Sequence, residues 1–136
     1  MFVSETKIRV YYEDTDQMGV VYYGQYLRYY EIGRTEMIRE LGLTYKEIED
    51  SGIMLPAKSV KVNYLKPARY DDLLTVRTIV EQIPQVKFTF RTEIYNQNNE
   101  LLNEGEVVLV FLNKQTGRPC KAPDTFISKL KELGIC

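Results

Sequence analysis

Apolar positions near the start of the chain first follow a period of two. Ile8, Val10 and Tyr12 alternate with Arg9 and Tyr11, which predicts a half-buried strand ending at the acidic turn Glu13–Asp16. From Tyr23 the period lengthens. Tyr23, Tyr26, Tyr30, Gly33, Met37 and Leu41 fall three or four apart and predict one face of a helix of about five turns, widened by Leu27 and Ile38. Gly42 is placed to end it. Gly33, in the middle of that face, costs roughly 1 kcal/mol of helix propensity against Ala, so its presence predicts a close neighbour there. A second, short helix is predicted over "TYKEIEDSG", with Thr44 and Glu47 spaced as a capping box and Gly52 closing it.

Beyond residue 55 the pattern returns to strands. "KSVKVNYL" and "DLLTVRTIV" flank the turn "KPARYDD", and "VKFTFRTEIY" sets Val86, Phe88, Phe90 and Ile94 on one face. "NQNNE" reads as a hairpin turn leading into "GEVVLVFLN", which "KQTGRP" breaks. "DTFISKLKELG" reads as an amphipathic C-terminal helix with Asp124 as its N-cap. The order is strand, long helix, short helix, then four strands with tight connections. That order predicts an α+β fold: a mainly antiparallel sheet packed on one helix. Helices do not alternate with strands, and no glycine-rich loop follows a strand, so a doubly wound nucleotide-binding fold is disfavoured.

Length bounds this to one domain over residues 1–136. The balance of 18 basic against 19 acidic residues gives no electrostatic reason to expect nucleic acid or an anionic membrane as partner. With no long apolar run and no signal-like N-terminus, the expected location is cytoplasmic and no stable membrane insertion is expected. Cys120 and Cys136 match neither a disulfide framework nor a metal-ligand spacing, and no metal or cofactor is expected. The chain contains no histidine. Ser-His-Asp and Cys-His nucleophile systems are thereby removed, leaving acid-base chemistry to carboxylates, Lys, Tyr or Cys.

The segment "EDTDQMGVVYYGQYLRYYE", residues 13–31, opens on three acids and then packs five tyrosines into its last ten positions. Acids in a turn before a helix are commonly caps or solvated loop residues. A carboxylate set against an apolar surface is costly, however, unless something requires it there. Residues 9–40 resemble the N-terminal signature of the 4-hydroxybenzoyl-CoA thioesterase-like, hotdog-fold family, D-x-D-x-x-G-x-V-x-[YH]-x-x-Y. "VNYLKPARYDD" and "TGRPCKAP" resemble later landmarks of the same family, so the likeness spans nearly the whole chain.

The resemblance implies a long central helix wrapped by a curved antiparallel sheet, sites at a dimer interface, and hydrolysis of acyl-CoA thioesters. Carried over by position, the family's catalytic carboxylate falls on Asp16, and the backbone N–H that polarises the thioester carbonyl falls on Tyr23. Asp14 is not assigned to catalysis. Many bacterial relatives carry His where Tyr23 stands, and a backbone role is compatible with Tyr. Gly19, Tyr26 and Tyr30 are further substrate-binding candidates, Tyr26 and Tyr30 as walls of the pocket. Lys87, Arg118 and Lys121 are the candidates for the CoA nucleotide. Expected partners are an acyl-CoA substrate, an acyl-carrier protein as a second thioester source, and further copies of the chain in a homodimer or homotetramer. A non-catalytic module binding an acyl chain or acyl-carrier protein is the alternative. A hotdog dehydratase is disfavoured by the missing histidine.

Overall fold

The computed structural model describes residues 1–135. Five strands form one antiparallel sheet in the order β1-β4-β5-β6-β3: β1 is Phe2–Arg9, β3 Ala57–Tyr64, β4 Leu73–Val80, β5 Lys87–Tyr95 and β6 Leu101–Val110. Helix α1, Gln25–Glu40, lies against the inner face of the sheet and contacts β1, β4 and β5. Helix α2, Tyr45–Asp50, follows it, and α3, Asp124–Glu132, closes one end of the core with Phe126 and Leu130. A two-residue ladder joins β2, Ile53–Met54, to β7, Leu112–Asn113.

Close approach is decided at two glycines. A Cβ on Gly33 would lie 2.6 Å from Thr78 Oγ1 and 2.8 Å from Val76 Cγ1, so the missing side chain lets α1 sit on β4. Across the helix, a Cβ on Gly105 would lie 2.5 Å from the Lys61 carbonyl and 2.7 Å from the Tyr30 ring, which brings β6 under α1. On β5, Phe88, Phe90, Thr92 and Ile94 point inward while Lys87, Thr89 and Arg91 point out. Stacked Phe88 and Phe90 meet Phe111 and Phe126, with ring centroids 4.2 to 6.2 Å apart. Burying these rings is the main stabilising term at that end of the core.

One half of the expected α2 capping box forms, the Glu47 N–H donating to Thr44 Oγ1 at 3.1 Å, without a return bond from the Thr44 N–H to the Glu47 side chain among the described residues. Several boundaries differ from the sequence reading. Strand β1 runs from Phe2 to Arg9, the stretch that pairs with β4, and its inward positions include a polar Ser4, whose hydroxyl donates to Glu40 Oε1 at 2.6 Å. Tyr12 is exposed in a 3₁₀ turn, Tyr12–Asp14, instead of closing a strand. Helix α1 starts at Gln25, two residues after Tyr23, and its inward face is widened by Ile38, as expected, and by the fully buried Tyr29, while Leu27 points to solvent. Strand β6 begins at Leu101, four residues before Gly105. Asp124 is the first residue of α3 and caps nothing; Pro123 occupies the cap position, and the Asp124 carboxylate instead favours the positive end of the helix dipole. Cys136 lies outside the described residues, and Cys120 is a free, partly buried thiol.

Candidate active site at the mouth of the long helix

Residues 14–22 fold back on themselves as a small hairpin. Thr15 pairs with Val21, the Asp16 N–H donates to the Val20 carbonyl at 2.9 Å, and the Tyr22 N–H donates to the Asp14 carbonyl at 3.0 Å. Gly19 makes the turn possible, with φ +77° in the left-handed region and its N–H on the Asp16 carbonyl. The hairpin is strapped to the segment before β4 by the Val21 N–H on the Ala68 carbonyl, 2.8 Å, and by pairing of Val20 with Arg69.

The two acids of this hairpin have opposite surroundings. Asp16 is exposed; its Oδ1 accepts the Met18 N–H at 2.8 Å, and no partner is recorded for Oδ2 among the described residues. Asp14 is buried, 6% exposed, and accepts from the Tyr11 N–H at 3.2 Å, Gln25 Nε2 at 3.1 Å and Tyr29 Oη at 2.9 Å. Burial and the bond to Asp14 push the Tyr29 phenol well above its ordinary range.

Tyr23 follows the hairpin immediately. Its side chain is 64% exposed, its carbonyl accepts from Tyr64 Oη at 3.2 Å, and its N–H has no hydrogen-bonded acceptor among the described residues. Gly24, the N-cap of α1, has helical φ and ψ, and the Tyr22–Gln25 turn leads directly into the helix, so this free N–H lies next to the positive end of the helix dipole. Beside it lies an open groove of ≈ 350 Å³ walled by Val21, Tyr23, Tyr26, Tyr64, Leu65 and Pro67. An exposed carboxylate, a free main-chain N–H beside a helix N-terminus and a largely apolar groove that also includes Lys66 thus belong to one hairpin and the elements it is strapped to, features that acyl transfer can use.

Comparison with known proteins decides the family. A model of the thioesterase-like superfamily matches residues 10–130. The chain belongs to that superfamily. The acyl-CoA thioester hydrolase YbgC of Escherichia coli is 34% identical over 125 residues, covering 92% of this chain and 93% of its own. The acyl-CoA thioesterase YbgC of Haemophilus influenzae is 32% identical over 117 residues, covering 85% of each chain. A solved DHNA-CoA thioesterase from Staphylococcus aureus superposes with a TM-score of 0.89 at 33% identity, over 98% of this chain and 94% of that one. A 1,4-dihydroxy-2-naphthoyl-CoA thioesterase from Synechocystis, 22% identical, superposes at 0.90 over 99% and 100% and shares the fold. The architecture is accordingly the hotdog fold, a curved antiparallel sheet wrapped around α1.

In this thioesterase-like chain the remaining candidates are spread widely. Tyr26 walls the groove; its ring is nearly buried, and its oxygen accepts the Ala68 N–H at 3.1 Å. Tyr30 does not reach the groove. It is fully buried and donates to Asn103 Oδ1 at 2.7 Å, so its place is the core between α1 and β6. Gly19 serves the turn.

Lys87, Arg118 and Lys121 are exposed at the far end of the strands, tied together through the Ala122 N–H on the Gln85 carbonyl and the Asn113 N–H on the Arg118 carbonyl. Strand β5 alone runs nine residues from Lys87 to Tyr95. At the usual rise per residue, the two ends lie roughly 26 Å apart. One chain therefore does not unite the basic cluster with Asp16. A larger cavity of ≈ 410 Å³ that includes Lys87 sits on the outer face of the sheet, where Glu81, Lys87, Arg91 and Glu106 share its lining with apolar and neutral polar residues. Lys58, which the sequence reading passed over, lies beside Lys87, whose ammonium lowers the Lys58 pKa.

Proposed function

We propose that this chain is an acyl-CoA thioesterase that hydrolyses an acyl-CoA to the free acid and CoA, with Asp16 as the acid-base group or nucleophile and the Tyr23 N–H as oxyanion donor. The observation that carries the reading is that one short hairpin holds the exposed Asp16 carboxylate and runs straight into Tyr23, whose N–H is free just before a 16-residue helix and whose side chain walls a largely apolar groove. As a general base, Asp16 takes a proton from water as the water oxygen bonds to the thioester carbon. The carbonyl oxygen becomes an oxyanion held by the Tyr23 N–H. When the C–S bond breaks, the proton returns to the CoA thiolate. As a nucleophile, Asp16 would attack the thioester carbon and expel CoA as its thiolate on C–S cleavage, and water would then cleave the resulting acyl anhydride to the free acid and the Asp16 carboxylate. Similarity to acyl-CoA thioester hydrolases supports the substrate class. The aromatic walls of Tyr23, Tyr26 and Tyr64 suit a flat acyl group.

The functional unit in this reading is a dimer or a tetramer built on it. Strand β3 is exposed along nearly its whole length and has a partner on one side alone, an edge that a second copy would cover. An antiparallel second copy would also bring Lys87, Arg118 and Lys121 toward the Asp16 end of its partner. The deciding experiment is release of free CoA from aryl, short and long aliphatic acyl-CoAs. Turnover of at least one, lost in Asp16→Asn, is expected. Tight acyl-CoA binding without CoA release from any of them would favour the non-catalytic binding module instead.

A further inference from the structure

Asp14 is the one charged side chain buried in the core among the described residues, and the proposed chemistry does not use it. Burying a carboxylate is expensive unless its lone pairs are filled, and here three donors fill them, with the Arg28 guanidinium 3.9 Å away. A turn needing only a cap would be served by a solvated acid. What the burial accomplishes is visible in the main chain. The Asp14 carbonyl accepts the Tyr22 N–H at 3.0 Å, and the Tyr22 carbonyl accepts the Gln25 N–H at 2.9 Å. The Gln25 side chain returns to Asp14 Oδ1 at 3.1 Å. Asp14 and Gln25 therefore grip Tyr22 from both sides and each other through their side chains, a closed ring of hydrogen bonds.

The Tyr22 carbonyl and the Tyr23 N–H belong to one planar peptide unit, so fixing the first aims the second. Accepting the Gln25 N–H also polarises that unit and strengthens its free donor. Tyr29, one helical turn after Gln25, completes the grip from below by donating to Asp14 Oδ2 at 2.9 Å. Resting on the thioesterase reading, we infer that Asp14, with Gln25 and Tyr29, forms a positioning clamp that sets the direction of the oxyanion-binding Tyr23 N–H.

The test uses Tyr29→Phe, which removes one hydroxyl, and Asp14→Asn, which removes the charge. Each is measured for kcat, KM and amide hydrogen exchange at Tyr22. Misaiming a donor lowers kcat and leaves ground-state binding alone, so kcat should fall about tenfold per folded enzyme with KM nearly unchanged. Tyr22 exchange should accelerate while amides of β4 and β5 keep their rates. Should Asp14→Asn fail to fold, Tyr29→Phe and Gln25→Ala carry the test. Wild-type kcat in Tyr29→Phe despite faster Tyr22 exchange would reduce the ring to a purely structural turn and overturn the inference. So would unchanged exchange at Tyr22. A wild-type protein that releases no CoA would instead overturn the thioesterase reading, and the exchange result would still decide whether the ring holds Tyr22.

Discussion

Asp14 and Asp16 stand two residues apart and face different media, and that contrast governs what each can do. Asp16 keeps an open oxygen toward solvent, whereas Asp14 accepts from three protein donors. Asp16→Asn preserves size and hydrogen-bonding shape but cannot take a proton or attack carbonyl carbon, so kcat should fall by about 10² to 10⁴ with acyl-CoA binding retained. Steady-state hydrolysis alongside direct binding of acyl-CoA measures both. A kcat within a few-fold of wild type would remove Asp16 from the chemistry. The signature singled out Asp16 for chemistry but was silent on burial, since a sequence shows two acids but not which one the fold buries. Tyr29 was less legible still: its partner Asp14 precedes it by 15 residues, and nothing in the pattern joins them.

At the scale of elements, helix periodicity and cap residues were readable because they are local. Gly33 was the most informative single position in α1, and its close neighbours prove to be Val76 and Thr78. Gly33→Ala should therefore destabilise the fold: an overpacking cost of about 1–3 kcal/mol outweighs a helix-propensity gain of about 1 kcal/mol. Urea unfolding at neutral pH would measure it, and a rise in midpoint would show that β4 can give way. What stayed hidden were elements whose reason is a distant partner. The β2–β7 ladder is too short to have a period, β1 hides its inward Ser4 behind a bond to Glu40, and β6 begins ahead of a glycine that looked like a start.

The whole molecule carries its polar stress in tyrosines. Burial raises the phenol pKa of Tyr26, Tyr29 and Tyr30, so the folded state holds them neutral where the unfolded chain would ionise. Their contribution to stability is complete below the ordinary tyrosine value of about 10 and is lost as pH climbs above it. With no histidine to titrate, urea midpoints should stay nearly level from about pH 6 to 9 and fall beyond about pH 10. A midpoint that stays level through pH 11, about one unit above that value, would contradict this reading. A second expectation follows from the two ends of the sheet. If each site takes Asp16 from one chain and its basic cluster from the other, an Asp16→Ala chain mixed with a Lys87→Ala, Arg118→Ala, Lys121→Ala chain should recover activity at low acyl-CoA that neither has alone. Refolding the two together and assaying CoA release tests it, and no recovery would mean that each site is built within one chain.

The position of α1 in the chain also matters before the protein is finished. Its inward face is covered by β4, β5 and β6, all of which follow it in sequence, and β1 must wait for β4, its partner some seventy residues later, as the pairing of Phe2 with Val80 and Arg9 with Leu73 requires. A growing chain thus presents a tyrosine-rich helix, with no sheet to receive it, until most of the polypeptide has left the ribosome. Such long-range pairing slows folding, so the nascent protein spends its vulnerable interval with the strap between Val20–Val21 and Ala68–Arg69 unformed and its apolar stripe open to chaperones.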